Sequence, residues 1–189
     1  MVVMGDAYRA SIDHAKRHFA AERRHDVVGG VRRAKVDEAI RGVIDRFAGK
    51  YEIEPRNEPN ANGSCYFLCL RSAGIRLVCC LVATRKAMVR PSVIRRMWAA
   101  HNYSSQRGLF DGWEIAQDQP LKIEHLAVLV HAPVRKRKEE LNFVDIVIPD
   151  RKFRDYNHRI QLFEMFPKEA ESYRALFKRR RSRGEGTGA

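Results

Sequence analysis

The chain has 189 residues, 44% of them hydrophobic, and a formal net charge of +13. That length suits one folded domain, and that apolar content excludes a disordered chain. The longest apolar run, Leu77 to Ala83, is far short of a membrane span, and Met1 to Met4 is too short for the apolar stretch of a secretory leader. A soluble protein with no membrane partner is therefore expected, inside the cell, in the cytoplasm or close to nucleic acid in a nucleoid or nucleus.

Taken in chain order, Asp6 to about Val28 reads as a helix with Tyr8, Ile12, Ala15 and Phe19 on one side. Gly29-Gly30 predicts a break. The clearest helix follows, from about Arg33 to Ala48, with Val36, Ala39, Ile40, Val43, Ile44 and Phe47 in one stripe and Gly49 as its stop. Tyr51 to Glu54 predicts a short strand, and Pro55 to Ser64, rich in Pro and Asn, predicts a loop. Cys65–Arg71 and Ile75–Thr84 predict two strands joined at Ser72-Ala73-Gly74, both apolar enough to be covered on two faces. Pro91 opens a helix to about His101. Leu121–His131 and Asn142–Ile148 predict two further strands joined by a long connection from Ala132 to Leu141. Arg154–Phe166 predicts a helix, interrupted at Pro167 and resumed from Lys168 to about Phe177.

These elements predict an α+β fold in the order ααβββαββαα, with helices packed on a mixed, mainly antiparallel five-stranded sheet. The domain spans 1–177, and 178–189 is expected to be a disordered basic tail.

The charge is unevenly distributed. Pro59 to Phe110 contains no Asp or Glu but carries Arg71, Arg76, Arg85, Lys86, Arg90, Arg95, Arg96 and Arg107. Lys178, Arg179, Arg180, Arg181 and Arg183 add five more positive charges. These two segments hold the whole excess, eight plus five, so the rest sums to zero. A surface built only for solubility mixes both signs; one cleared of acids attracts phosphates and releases their counterions.

Several groups are candidates for contact with nucleic acid. Arg85, Lys86 and Arg90 precede the third helix, Ser92 stands at its start, and Arg95 and Arg96 lie on its outer side; dipole, amides and guanidiniums would meet a phosphate there. Arg107 follows in a loop. Arg135, Lys136, Arg137 and Lys138 would crown the second hairpin, partly offset by Glu139 and Glu140. Arg179, Arg180 and Arg181 in the tail would raise the encounter rate. Tyr103 and Trp113 are the loop aromatics suited to base stacking.

Other patterns carry less chemistry. His14, His18 and His25 share one helical stripe, but no H-E-x-x-H arrangement exists and no metal site is assigned. Cys65, Cys69, Cys79 and Cys80 lack a second C-x₂₋₄-C pair and read as reduced thiols behaving as small hydrophobes. Asp145 is expected to pair near Ala127 with His125 and His131 on the same face, an Asp–His couple for acid–base work or a structural polar pair; no catalytic residue is assigned.

From Val36 to His101 the order helix, three strands, helix resembles two architectures, the double-stranded-RNA-binding domain and the restriction-endonuclease-like core, in element order alone. The nuclease core implies an acid on its second strand and an acid–x–Lys on its third; neither is present, and Glu52, Glu54 or Asp111 would have to serve as displaced ligands. A nucleotide- or acyl-transferase would need a phosphate loop after a strand, whereas Ala83 to Arg90 has no glycine. The expectation is therefore a nucleic-acid-binding protein without catalysis or cofactor. The alternatives are a nuclease-like core and an inhibitor or adaptor docking on an acidic protein.

Overall fold

A computed structural model of the chain describes residues 2–60, 62–63, 66–102, 125–135 and 137–184, with side chains to residue 178. The architecture is α+β. Among the described residues, five α-helices and six strands follow the order ααβββαβββαα.

The strands lie side by side in the order the chain makes them: β1 (Glu54–Pro59), β2 (Tyr66–Ser72), β3 (Ile75–Leu81), β4 (His125–Val134), β5 (Arg137–Pro149) and β6 (Tyr156–Gln161). All neighbours are antiparallel except β3 and β4, which run parallel from Ile75 opposite His125 to Leu81 opposite His131. The sheet is thus two three-stranded meanders joined by one crossover. The turn between β2 and β3 has Ala73 at φ 45° and Gly74 at φ 75°. Two successive positive φ values are what a tight hairpin twisted like its strands requires, and glycine adopts the second at no steric cost.

Side chains alternate across the sheet and build a core on each face. One face carries Leu77, Cys79, Leu129, Val144 and Ile146; against it pack α1 (Val2–His18), α2 (Arg24–Arg46) and α5 (Pro167–Gly184) through Tyr8, Val36 and Tyr173. Gly5 on α1 leaves room for the ring of Tyr173, which a Cβ there would strike. The other face carries Val78, Cys80, Val128, Val130, Phe143 and Val147, covered by Trp98 and Ala99 of α3 (Val93–Ala99) and by Val89 and Phe153. Cys79 and Cys80 accordingly enter opposite cores.

The structure corrects several expectations. The sheet has six strands, not five: Tyr156–Gln161, expected inside a helix, forms β6, and only Leu162–Met165 is helical as α4. Asn157 and His158 are poor helix formers, and pairing with β5 covers an apolar strand that would otherwise be an edge. Gly29 and Gly30 lie inside α2 rather than before it; the break falls at Phe19–Ala20, followed by a 3₁₀ turn over Ala21–Arg23. Part of the expected loop Pro55–Ser64 is β1, where an edge position tolerates Pro55 and Pro59. The connection Ala132–Leu141 shrinks, because β4 runs to Val134 and β5 starts at Arg137, past an irregularity at Pro133, a residue that cannot donate to the ladder. Helix α5 carries the backbone to Gly184, beyond Phe177, where the sequence places the end of the domain.

Asn102, fully buried just beyond α3, ties the crossover down. Its amide nitrogen donates to the carbonyls of Leu126 (3.1 Å) and Pro149 (2.8 Å), and its Oδ1 accepts from the Leu126 amide (2.9 Å). Asn102→Ala should lower unfolding stability by about 3 kcal/mol in urea titrations, since it leaves buried backbone groups unpaired. Asn102→Asp should cost at least as much, because it turns an acceptor toward two carbonyls.

Candidate functional site

The sheet opens at one place. β2 and β3 pair only from Cys69 opposite Val78 to Ser72 opposite Ile75. Beyond Val78, residues Cys79 to Leu81 pair with β4 alone, while Tyr66 to Leu68 pair with β1 alone. Helix α2 lies over this gap and binds the released backbone of β2. Arg33 donates to the Tyr66 carbonyl (3.1 Å), and the Asp37 carboxylate accepts from the Leu68 amide. Burial raises the pKa of Asp37 above its ordinary value, with Arg33, the Leu68 amide and Arg41 opposing.

A partly open cavity of about 190 Å³ occupies the gap. Four arginines line it: Arg32 and Arg33 from α2, Arg90 from the β3–α3 connection and Arg95 from α3; Asp37 is the single carboxylate. Arg32 is 5% exposed. Its Nη2 donates to the Lys138 carbonyl (3.2 Å) and its guanidinium lies 4.7 Å over the Tyr8 ring, but its Nε has no partner. Among the described residues no carboxylate stands within 4 Å of it, and burial lowers its pKa. The groups beside it are neutral. Burial raises the Tyr8 hydroxyl far above its usual value and pushes His131 down to about 4. The Tyr8 hydroxyl therefore donates to His131 Nδ1 (2.5 Å), leaving the imidazole proton on Nε2. Burial likewise raises both thiols in the lining, Cys79 and Cys80, so they stay protonated.

The sequence-derived basic residues divide into two groups. Some meet carboxylates from outside the acid-free stretch: Arg71 pairs with Glu58 at 2.7 Å, and Arg85 lies 3.3 Å from Asp145 and 4.0 Å from Glu164. Arg76 lies over Trp98 at 4.7 Å. Lys86, Arg90, Arg95 and Arg96 have no carboxylate within 4 Å among the described residues. Arg95 instead donates to the Arg90 carbonyl (2.7 Å). Ser92 acts as a helix cap: its Oγ accepts from the Arg95 amide (3.3 Å). Because β3 and β4 run parallel, the hairpin tip beyond Val134 lies at the same end of the sheet as this connection. The tip adds exposed Arg135 and Lys138, while Arg137 pairs with Glu140 at 3.3 Å. Arg107, Lys136, Tyr103 and Trp113 lie outside the described residues, as do the side chains of Arg179, Arg180 and Arg181. Sequence reasoning missed Arg32 and Arg33. The signal was their adjacency at the start of the clearest apolar stripe, which one turn later presents Val36 to the core.

The expected Asp–His couple does not form. Asp145 pairs with Val130 rather than near Ala127 and faces the α3 side, whereas His131 faces Tyr8 on the other. Asp145, fully buried, accepts instead from Arg159 at 2.7 Å. The rings of His14 and His18 stand 4.4 Å apart, yet no group of three potential metal ligands occurs among the described residues. Cys69, Cys79 and Cys80 are free thiols. No helix among the described residues is long and apolar enough to cross a membrane. No family model, curated protein or solved structure matches the chain.

Asp145→Asn should lower stability by about 3 kcal/mol in urea titrations, the lower part of the range for a broken buried pair, since both guanidiniums reach solvent. Acid should act through His131. Its folded pKa, about 4, lies below the unfolded value of about 6.5, so the unfolded chain binds more protons between them. That stability is fully present above about pH 6.5 and is lost as pH falls toward 4, by about 3 kcal/mol. His131→Gln should flatten the dependence of Tm on pH in that window; an unchanged profile would show that other groups set it.

Proposed function

We propose that the chain is a nucleic-acid-binding protein that acts without catalysis, through the basic end of its sheet. The observation that carries this reading is the cluster of Lys86, Arg90, Arg95 and Arg96, without carboxylate partners among the described residues, on one connection and the helix that follows it. Arg135 and Lys138 of the neighbouring hairpin tip extend the same end. Phosphates interact with such a surface mainly by Coulomb attraction and counterion release, which favours binding without sequence preference. The compensated arginines, Arg71 and Arg85, hold the fold, and the uncompensated ones are left for a polyanion.

Of the ligands a nuclease-like core would need, Asp111 lies outside the described residues, and among the described residues no group of three potential metal ligands occurs. Docking on an acidic protein draws on the same charge and is the competing outcome of the test below.

The test is a salt-dependent titration with duplex DNA, single-stranded DNA and RNA. Lys86→Glu with Arg96→Glu, two exposed positions outside the cavity, should weaken binding to every sequence and reduce the log–log salt slope by about two. Unchanged affinity and slope, or tight binding only to an acidic protein, would reject the proposed interface.

A further inference from the structure

The cavity where β2 and β3 part carries its own chemistry. Four arginines line it against one aspartate, and they come from three separate segments, α2, the β3–α3 connection and α3. Arg32 is the decisive group. A cation 95% removed from water is costly unless an anion or several hydrogen bonds compensate it. Arg32 has one carbonyl, one ring face and an unpartnered Nε, and the tyrosine and histidine next to it are neutral. Arg33 holds its place by bonding Tyr66 with one nitrogen, which leaves the rest of its fork available. Arg95 is anchored on the Arg90 carbonyl in the same way. These are pre-positioned donors around an uncompensated buried charge.

We propose that this cavity holds a phosphate monoester, and that on a nucleic acid it captures a phosphorylated strand end. Size supports an end group. At about 190 Å³ the cavity is below the roughly 300–1,000 Å³ typical of sites that enclose a whole small molecule, so it takes the phosphate while the nucleoside stays outside. Charge supports a monoester. A terminal phosphate brings close to two negative charges and three free oxygens, where an internal diester brings one charge and must leave the cavity in two directions. Planar guanidiniums match those oxygens in pairs. The source of the phosphate, a strand end, rests on the nucleic-acid reading above; the cavity's affinity for a phosphomonoester does not.

Fluorescence anisotropy tests it, with strands ending in a 5′-phosphate, a 3′-phosphate or hydroxyls only, the hydroxyl strands lengthened to equal formal charge. A phosphorylated end should bind about tenfold tighter than its charge-matched control, as expected for charge-assisted hydrogen bonds. Arg33→Gln with Arg95→Gln should abolish the ratio. So should Arg90→Gln, which removes no hydrogen bond of its own side chain within the described chain and guards against a folding effect. Lys86→Glu with Arg96→Glu should weaken all strands and keep the ratio. Equal affinity for phosphate and hydroxyl ends would overturn the end-capture inference and leave the interface standing. In parallel, inorganic phosphate and a nucleoside monophosphate are assayed by thermal shift. If no strand binds but either raises Tm in the wild type and not in Arg90→Gln, the cavity serves a free phosphomonoester and the nucleic-acid reading fails. No binding in any arm would overturn both.

Discussion

Seven successive residue pairs, from Ile75–His125 to Leu81–His131, hold β3 parallel to β4 at the centre of the sheet. A parallel pair cannot be closed by a tight turn, so the chain must leave β3, cross a face and re-enter at the far end. The consequence is positional. The connection that leaves β3 and the hairpin that leaves β4 emerge at one end, and the charges of both are brought together there. An antiparallel pairing would have put them at opposite ends of strands seven residues long, about 20 Å apart. The same pairing explains the gap. β4 keeps Cys79 to Leu81 in the sheet after β2 has let them go, and α2 lies over the opening.

Within the acid-free stretch, compensation follows position along the strands. Arg71 sits within β2 and meets Glu58 from β1, its neighbour in the sheet. Arg85 lies just past β3, where the chain folds back over Phe143 at 5.2 Å and reaches Asp145 on β5. From Lys86 onward the chain has passed Asp145 of β5 and Glu164 of α4. Tyr156 then fixes its course, its hydroxyl accepting from the Val89 amide (2.7 Å) and donating to the Ala87 carbonyl (3.2 Å). A run of positive charge in sequence thus becomes two populations in space, separated by whether each residue reaches a carboxylate of a neighbouring element.

Much of this was legible in the residues. The β2–β3 hairpin was written in Ser72-Ala73-Gly74 between two apolar runs, and the opposed directions of Cys79 and Cys80 in strand alternation; Ser92, expected to offer its hydroxyl to a phosphate, instead caps a helix that starts at Val93. What failed was non-local. β6 reads as helix because Ile160, Phe163 and Phe166 suit a helical stripe, and only pairing with β5 makes it a strand. The register of Asp145 depended on how far β4 and β5 continue past the Pro133 irregularity, and an error of a few residues there puts the wrong partners together and carries Asp145 away from both histidines. The gap between β2 and β3 has no local signature, since it depends on where two strands stop pairing. Arg32 and Arg33 stayed invisible for that reason: nothing in the helix itself says what lies beneath it.

Helix α2 joins the two halves of the site. Its Val36, Ala39 and Ile40 join Leu77 and Cys79 in one apolar cluster, and that burial fixes the rotation of the helix. Arg32, one turn before Val36, is then forced inward against Tyr8, while Arg33 turns to the opening beside β2. The orientation that buries the apolar stripe therefore also buries a guanidinium, and the two cannot be separated without turning the helix. Gly29, one turn earlier, also lines the cavity, and a Cβ there would meet nothing within 4 Å among the described residues. Glycine lowers helix propensity by about 1 kcal/mol relative to alanine, and no packing contact within the described chain offsets that. Its place is in the cavity lining beside Arg32 and Arg33, where it adds no side chain. The buried charge of Arg32, the backbone-held donor Arg33 and the bare Gly29 all follow from the placement of one helix over the place where the sheet parts.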